Sequence, residues 1–229
     1  MKRKRLLSRV SLALFMVISV AVTAFVGWRL SSDTIVRAPV EIEDYLFWEA
    51  RELTAFNLVA ADNKTFNLES LQGKWSFIFF GYTHCPDVCP ATLSIMGAAF
   101  SMLKRNPAAV PEIQGIFVSV DPKRDTPEVL KKYVSYFDDG FAGVTGSKAQ
   151  IDVLTRQMGA LYFVDPETVE DASYEVTHNS TIFLVDPRGR LYGRFSPPLD
   201  PQVIADIFVK IRAFYNDQAE KRWFFFREN

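Results

Sequence analysis

The stretch WSFIFFGYTHCPDVCPATLSIMGAAFSMLK, residues 75–104, joins three different patterns. Residues 75–80 are apolar apart from Ser76, which is how a strand covered on both faces reads. Leu93, Met96, Ala99, Phe100 and Leu103 then recur at helical spacing and predict a helix from about residue 87 to residue 104. Pro90 is compatible with that helix because it falls in the first turn. The loop between strand and helix holds Cys85 and Cys89, the chain's two cysteines, and His84, one of its two histidines.

Working outward, residues 55–59 and 65–68 read as short strands joined at Ala61-Asp62-Asn63, a hairpin ahead of the central strand. Residues 116–120 are a second buried strand. They lead into DPKRDTPE, where Asp125 or Thr126 can cap a helix that has Pro127 and Glu128 in its opening turn and Val129, Leu130, Tyr133, Val134 and Phe137 on its apolar face. Residues 141–144 suit a short strand. Ser147 and Gln150 have capping-box spacing before Ile151, Leu154, Met158 and Leu161. Residues 174–178 and 181–185 read as extended, and Asp186-Pro187-Arg188-Gly189 is a turn leading to residues 191–195, so the last two strands form an antiparallel hairpin. Asp200 and Pro201 open a final helix whose buried stripe is Val203, Ile204, Ile207, Phe208, Ile211 and Phe214. Strand-helix units closed by a hairpin and a helix describe an α/β, thioredoxin-like fold with an added N-terminal hairpin, over residues 53–229.

The front of the chain is different. Lys2, Arg3, Lys4, Arg5 and Arg9 form a basic segment, residues 1–9, before an uncharged run over residues 10–28 that is long enough to cross a bilayer as one transmembrane helix. Cationic segments resist translocation, so the domain lies across the membrane from them. A cleaved signal peptide is the competing reading, with Val22-Thr23-Ala24 weakly imitating a cleavage site, but the run is longer than a usual signal core. The nine leading residues are too few for a mitochondrial import sequence, which points to a bacterial inner membrane with the domain in the periplasm. Residues 29–52 read as a tether with an aromatic patch at Tyr45, Leu46, Phe47 and Trp48. Taking the five leading positive charges from the net charge of -1 leaves -6, which speaks against nucleic-acid binding.

Two cysteines in an exported protein suggest a structural disulfide, but closing so small a ring contributes only about 2 kcal/mol on the loop-entropy estimate. Residues at i and i+4 share a helix face, so both sulfurs can point to one spot if the first turn includes Cys89. The positive helix end there favours thiolate. A thiolate pair can attack a disulfide or bind a soft metal. Thioredoxin-type oxidoreductases use CxxC and place a proline before the facing strand. Here the spacing is CxxxC, and Val176-Thr177-His178-Asn179-Ser180 stands before that strand without a proline. His178 therefore approaches the cysteine loop if residues 181–185 lie beside residues 75–80. Two thiolates suit Cu(I), an added imidazole makes Cu(II) acceptable, and zinc also accepts such a set. His84 is the rival nitrogen donor, although neighbours on an irregular loop usually point apart. Thr83 lacks the proline and spacing that a peroxiredoxin requires.

FGYTHCPDVCPATL, SVDPKRDTPE and THNSTIFLVDP together resemble the Sco (SenC) family of membrane-anchored copper proteins, across about residues 53–215. The resemblance implies a thioredoxin-like fold, and Cys85, Cys89 and His178 as copper ligands. It also implies a part in assembling the dinuclear copper centre of cytochrome c oxidase subunit II. A metallochaperone is the leading reading, with its copper donor unidentified. The alternative is a thiol-disulfide oxidoreductase in which Cys85 and Cys89 are a catalytic dithiol that reduces the acceptor's cysteines. The resemblance also draws attention to residues 121–128, where Asp125 and Glu128 read as helix-capping groups and Asp121 as a residue orienting ligands or partner. Two further segments are particular to this chain. Asp165, Glu167, Glu170, Asp171 and Glu175 form an acidic loop, and Trp223-Phe224-Phe225-Phe226 stands near the C-terminus as a group packed on the core or facing lipid or oxidase.

Overall fold

The computed structural model describes residues 15–27, 37–105, 113–164, 174 and 176–227, in two compact units, Met1–Arg37 and Ala38–Asn229. In the first unit residues 15–27 form helix α1. Among the described residues no helix is long and apolar enough to cross a membrane. Residues 10–14 and 28 of the expected span lie outside the described residues, with the basic segment 1–9. The acidic residues Asp165, Glu167, Glu170, Asp171 and Glu175 lie outside them too, as do the side chains of Trp223-Phe224-Phe225-Phe226.

The second unit is built on its central apolar strand. Its elements are α2 (Val40–Glu43), β1 (Leu46–Glu52), β2 (Asn57–Ala60), β3 (Thr65–Asn67), β4 (Trp75–Gly81), α3 (Val88–Lys104), β5 (Ile113–Ser119), α4 (Pro127–Ser135), β6 (Phe141–Thr145), α5 (Lys148–Met158), β7 (Tyr162–Val164), β8 (Val176–His178), β9 (Ile182–Val185), β10 (Arg190–Phe195) and α6 (Pro201–Arg227). Among the described residues they form one eight-stranded sheet, ordered β1-β10-β9-β4-β5-β6-β2-β3, and a separate β7-β8 ribbon. Strands β4, β5 and β6 are parallel, linked through helices, while β9 runs antiparallel to β4 and β10 antiparallel to β9. The domain therefore has the thioredoxin-like α/β arrangement that the sequence predicts, and the N-terminal hairpin is the β2-β3 pair.

All seven residues of β4 are buried, as befits a strand with neighbours on both sides and cover on both faces. Phe77 meets Phe208 of α6, Phe100 of α3 and Phe195 of β10 at ring-centroid distances of 4.9, 5.1 and 6.1 Å. Trp75 packs edge-on to Phe208 and Tyr215 of α6. This aromatic layer holds α3 and α6 against the strand that delivers the cysteine loop.

Four expectations change. The tether expected over residues 29–52 is structured from Ala38 onward: β1 pairs with β10 as an edge strand, and Tyr45 packs on Phe195 with ring centroids 5.5 Å apart. Its mixed polarity is that of a strand with one side open to solvent. Helix α5 stops at Met158 because Gly159 turns left-handed at φ 72°, which leaves Leu161 exposed rather than on the helix's apolar face. Gln150 does not close a capping box. Ser147 Oγ accepts the Gln150 N–H at 3.4 Å, and Gln150 Oε1 instead accepts the Asn57 N–H of β2 at 2.8 Å. Val203 falls outside the buried stripe of α6, whose opening is otherwise as read: Asp200 Oδ1 accepts the Val203 N–H at 2.9 Å.

Phe77→Ala removes the ring on which three elements converge. It is expected to lower unfolding stability by about 3–5 kcal/mol, read from the urea midpoint at unchanged slope.

Candidate metal centre

Strand β4 ends at Gly81, where a Cβ would stand 2.6 Å from Cys89 Sγ and 2.8 Å from the Phe117 ring. The missing side chain lets the first turn of α3 settle directly on the strand end. Cys89, the second residue of α3, is fully buried there, and Cys85 is half-buried on the loop. Both are free thiols. The Cys89 N–H donates to Cys85 Sγ at 3.4 Å, so the sulfur takes up one of the helix's unpaired opening donors, a role that the side chain of the N-cap residue Asp87 does not fill. The Cys85 N–H in turn donates to the Tyr82 carbonyl at 3.3 Å. Cys85 and Cys89 thus do meet, but Cys85 stands on the loop before α3, so the turn of that loop and not a shared helix face brings them together.

Their electrostatics differ from the expectation of two favoured thiolates. Burial pushes the Cys89 thiol well above the usual range, and proximity to Cys85 adds to the shift. A backbone hydrogen bond from Tyr82 opposes it only in part. The helix end is outweighed at this sulfur because the charged form would be cut off from water.

Asp125 is not a helix cap. Thr126 caps α4, its side chain accepting the Val129 N–H at 3.4 Å, and Pro127 takes the first helical position. Asp125 is fully buried beneath the cysteine loop, where it accepts the Thr83 N–H at 2.9 Å, the Thr83 hydroxyl at 2.6 Å and the Ser119 hydroxyl at 2.5 Å. It therefore ties the end of β5 to the residue two places before Cys85. His84 is exposed, with Nδ1 3.1 Å from Thr83 Oγ1 and 3.8 Å from Asp125 Oδ1. Asp121, 3% exposed, pairs with Arg124 and accepts the Tyr174 hydroxyl at 2.5 Å. Glu128 lies in the first turn of α4.

Strand β9 brings the third expected residue toward the site. Its first residue, Ile182, stands opposite Phe79 near the C-terminal end of β4. His178 lies four positions earlier, at the end of β8, where its backbone is opposite Tyr162 of β7. The imidazole of His178 lies outside what the structure describes. Among the described residues no group of three His, Cys, Asp or Glu could hold a metal ion, so the described donor set is the two sulfurs. Two adjacent thiols suit a soft ion. The Tyr133 hydroxyl is buried without a hydrogen-bond partner among the described residues, and burial first, then the charges of Cys89, Cys85 and Asp125, raise its pKa, so it stays a protonated phenol and not a donor to a soft ion.

Gly81, Thr83 and Ser119 lie inside the motifs that carry the resemblance, which assigns them no site role, and Tyr133 and Tyr174 carry no sequence signal as site residues. Only the position of Gly81 at the junction of strand and cysteine loop hints that a side chain is unwelcome there.

The model of the SCO1/SenC family matches residues 49–213. A protein of Stutzerimonas stutzeri named for copper binding is 41% identical over 150 residues, which cover 65% of this chain and 71% of that one. The copper-bound structure of ScoI from Arabidopsis thaliana is 34% identical, with a TM-score of 0.64 over 70% of this chain and 98% of its own. The copper-bound structure of ScoI from Bradyrhizobium japonicum is also 34% identical, with a TM-score of 0.59 over 68% of this chain and 97% of its own.

In the reduced protein, iodoacetamide is expected to label Cys85 at least about tenfold faster than Cys89, because the thiolate is the nucleophile and Cys89 is both protonated and enclosed. Asp125→Asn turns an acceptor into a donor facing Thr83 and Ser119 and should narrow that gap by loosening the loop. Equal labelling rates in the unaltered protein would contradict the burial of Cys89.

Proposed function

The chain belongs to the SCO1/SenC family, and on that premise we propose that it is a copper-binding protein of cytochrome c oxidase assembly that holds one copper ion through Cys85, Cys89 and His178 and passes it to the dinuclear centre of subunit II. The observation that carries this reading is the pair of free thiols where β4 meets α3, with β9 paired to the same strand so that the segment bearing His178 leads toward that end. Copper is favoured over zinc by the copper-bound relatives and by the softness of two sulfur donors.

The chain's own residues divide the work. Cys89 is enclosed against Gly81 and gives the sulfur that stays in place, while half-exposed Cys85 is the donor that an acceptor's ligand reaches first. His178 supplies a nitrogen that extends the set from Cu(I) to Cu(II). Asp125 keeps the loop geometry fixed as donors exchange. Ligands of the acceptor displace those of the chain stepwise, and no covalent bond within either chain is made or broken. The basic segment 1–9 and the apolar run over residues 10–28 support a single-pass anchor in a bacterial inner membrane with the domain in the periplasm.

A second reading is favoured by the unequal exposure of the two thiols. Cys85 as thiolate attacks a disulfide in the acceptor to form a mixed disulfide. Cys89 then attacks Cys85, and the acceptor leaves as a dithiol while this chain is oxidised to the Cys85–Cys89 disulfide.

Anaerobic titration of the reduced protein is expected to show one copper per chain and, for Cu(II), a sulfur-to-copper charge-transfer band. His178→Ala should weaken Cu(II) binding by about 10-fold or more and shift that band, with a smaller effect on Cu(I). Unaltered Cu(II) binding in the variant would remove His178 from the ligand set. Failure of the unaltered protein to bind copper in either state, with disulfide reduction intact, would favour the second reading.

A further inference from the structure

Arg124 stands between two tyrosines that belong to the two halves of the site. Its guanidinium lies 3.6 Å from the ring centroid of Tyr174 and 5.6 Å from that of Tyr82, both within the range of a cation–π contact. Tyr82 is on the cysteine side: it follows Gly81, its carbonyl accepts the Cys85 N–H and its backbone hydrogen-bonds the Cys89 sulfur. Tyr174 is on the histidine side, four residues before His178. The contacts to Tyr174 are several. Arg124 Nη1 donates to its carbonyl at 3.0 Å, its hydroxyl donates to Asp121 Oδ1 at 2.5 Å, and Arg124 Nε donates to Asp121 Oδ2 at 2.5 Å. The ion pair is enclosed, with side-chain exposures of 14% for Arg124 and 3% for Asp121.

Strand β8 needs such a fixture. It pairs with β7 in a ribbon separate from the main sheet, so the sheet's hydrogen bonds fix the His178 segment only from the far side, at Ile182 opposite Phe79. Tyr174 and Ile182 are each four residues from His178, a reach of at most about 13 Å on either side. The ribbon holds the His178 backbone at Tyr162, and the Asn179 N–H donates to the Leu161 carbonyl at 3.3 Å, but both contacts come from β7 and the residue before it, and neither reaches the cysteine side. The attachment that does comes from the loop after β5, whose other buried carboxylate, Asp125, fastens Thr83. A single stretch, residues 121–125, therefore grips both the cysteine loop and the segment that carries the third donor.

We propose that Asp121, Arg124 and Tyr174 are positioning residues for His178, holding the start of its segment at the distance from Cys85 and Cys89 at which three donors meet on one copper ion. This rests on His178 being a ligand. The planar fork of Arg124 matters as well as its charge, since it serves a carboxylate, a carbonyl and an aromatic face at once. Lysine can keep the pair with Asp121 but has no planar fork with which to hold all three contacts at once.

The test uses the full chain, reduced anaerobically and titrated with Cu(I) and Cu(II), with near-ultraviolet circular dichroism of the metal-free form checking the fold. Arg124→Lys is expected to weaken Cu(II) binding about 10–100-fold, the usual cost of removing a group that orients a metal ligand, and to move the charge-transfer band toward that of His178→Ala. The loss for Cu(I) should be smaller. Tyr174→Phe keeps the ring and the carbonyl and loses only the hydroxyl bond, so its effect should be milder in the same direction, and it serves in place of Arg124→Lys if that variant does not fold. The decisive comparison is in the His178→Ala background, where either substitution should cause no further loss of Cu(II) affinity. An undiminished loss there, or an unchanged band and affinity in the single variants of a protein whose His178→Ala form is impaired, overturns the positioning role alone. Unchanged Cu(II) binding in His178→Ala itself overturns the ligand assignment and the positioning role together.

Discussion

The carboxylate of Asp125 is the interaction on which the arrangement of the site depends. A buried carboxylate is costly unless its lone pairs are occupied, and here two hydroxyls and a backbone N–H occupy them. Those donors come from the end of β5 and from the loop after β4, so satisfying one charge joins two parallel neighbours at their C-terminal ends. Hydrogen bonds to charged groups are worth more than those between neutral partners, about 1.5–3 kcal/mol each, and leaving one partner behind without the other is costlier still. The loop carrying Cys85 is therefore held down from below as well as by its own contacts, the Cys85 N–H to the Tyr82 carbonyl and the Cys89 N–H to Cys85 Sγ.

Around that anchor the packing is asymmetric. Cys89 belongs to the hydrophobic core as much as to the site: it lies against Gly81 and Phe117 with no exposure, while Cys85 keeps access to solvent. The asymmetry gives the two sulfurs different chemistry although they are only four residues apart, one on the loop and one in the first turn of α3. It also explains why the helix end, which favours negative charge in general, does not govern Cys89, since the cost of removing water from a thiolate exceeds the benefit of the nearby N–H groups.

Much of this was legible in the sequence where periodicity was strong. The unbroken apolar run of β4, the helical spacing of α3 and the turn at Asp186-Pro187-Arg188-Gly189 each carry their own pattern, and together they order the strands around the cysteine loop. β1 was not legible, because an edge strand shows neither an unbroken run nor clean alternation, and Glu49, Arg51 and Glu52 read as linker. Gly159 was a usable stop signal for α5 that the apolar spacing of Leu161 masked. For the site, the spacing of Cys85 and Cys89 pointed to their meeting, which the structure bears out, and the thioredoxin-type layout pointed to residues 181–185 as the facing strand, which the pairing of β4 with β9 bears out. Asp125 was misread because a carboxylate next to a threonine and a proline has a local explanation as a cap. Its true partners, Thr83 and Ser119, are brought to it only by the parallel register of β4 and β5. The bridging of Tyr82 and Tyr174 by Arg124 joins residues 92 positions apart along the chain, and no local pattern announces it.

The pairing of β1 with β10 has a practical side. A recombinant fragment trimmed at Leu53, where the sequence alone would put the domain boundary, strips β10 of a neighbour and leaves a row of backbone N–H and C=O groups bare along it. Bare strand edges recruit strands from other molecules, and the loss of Tyr45 also uncovers Phe195. A fragment cut at Ala38 keeps that border closed, so the choice of first codon decides whether the isolated domain stays monodisperse at the concentrations that spectroscopy needs.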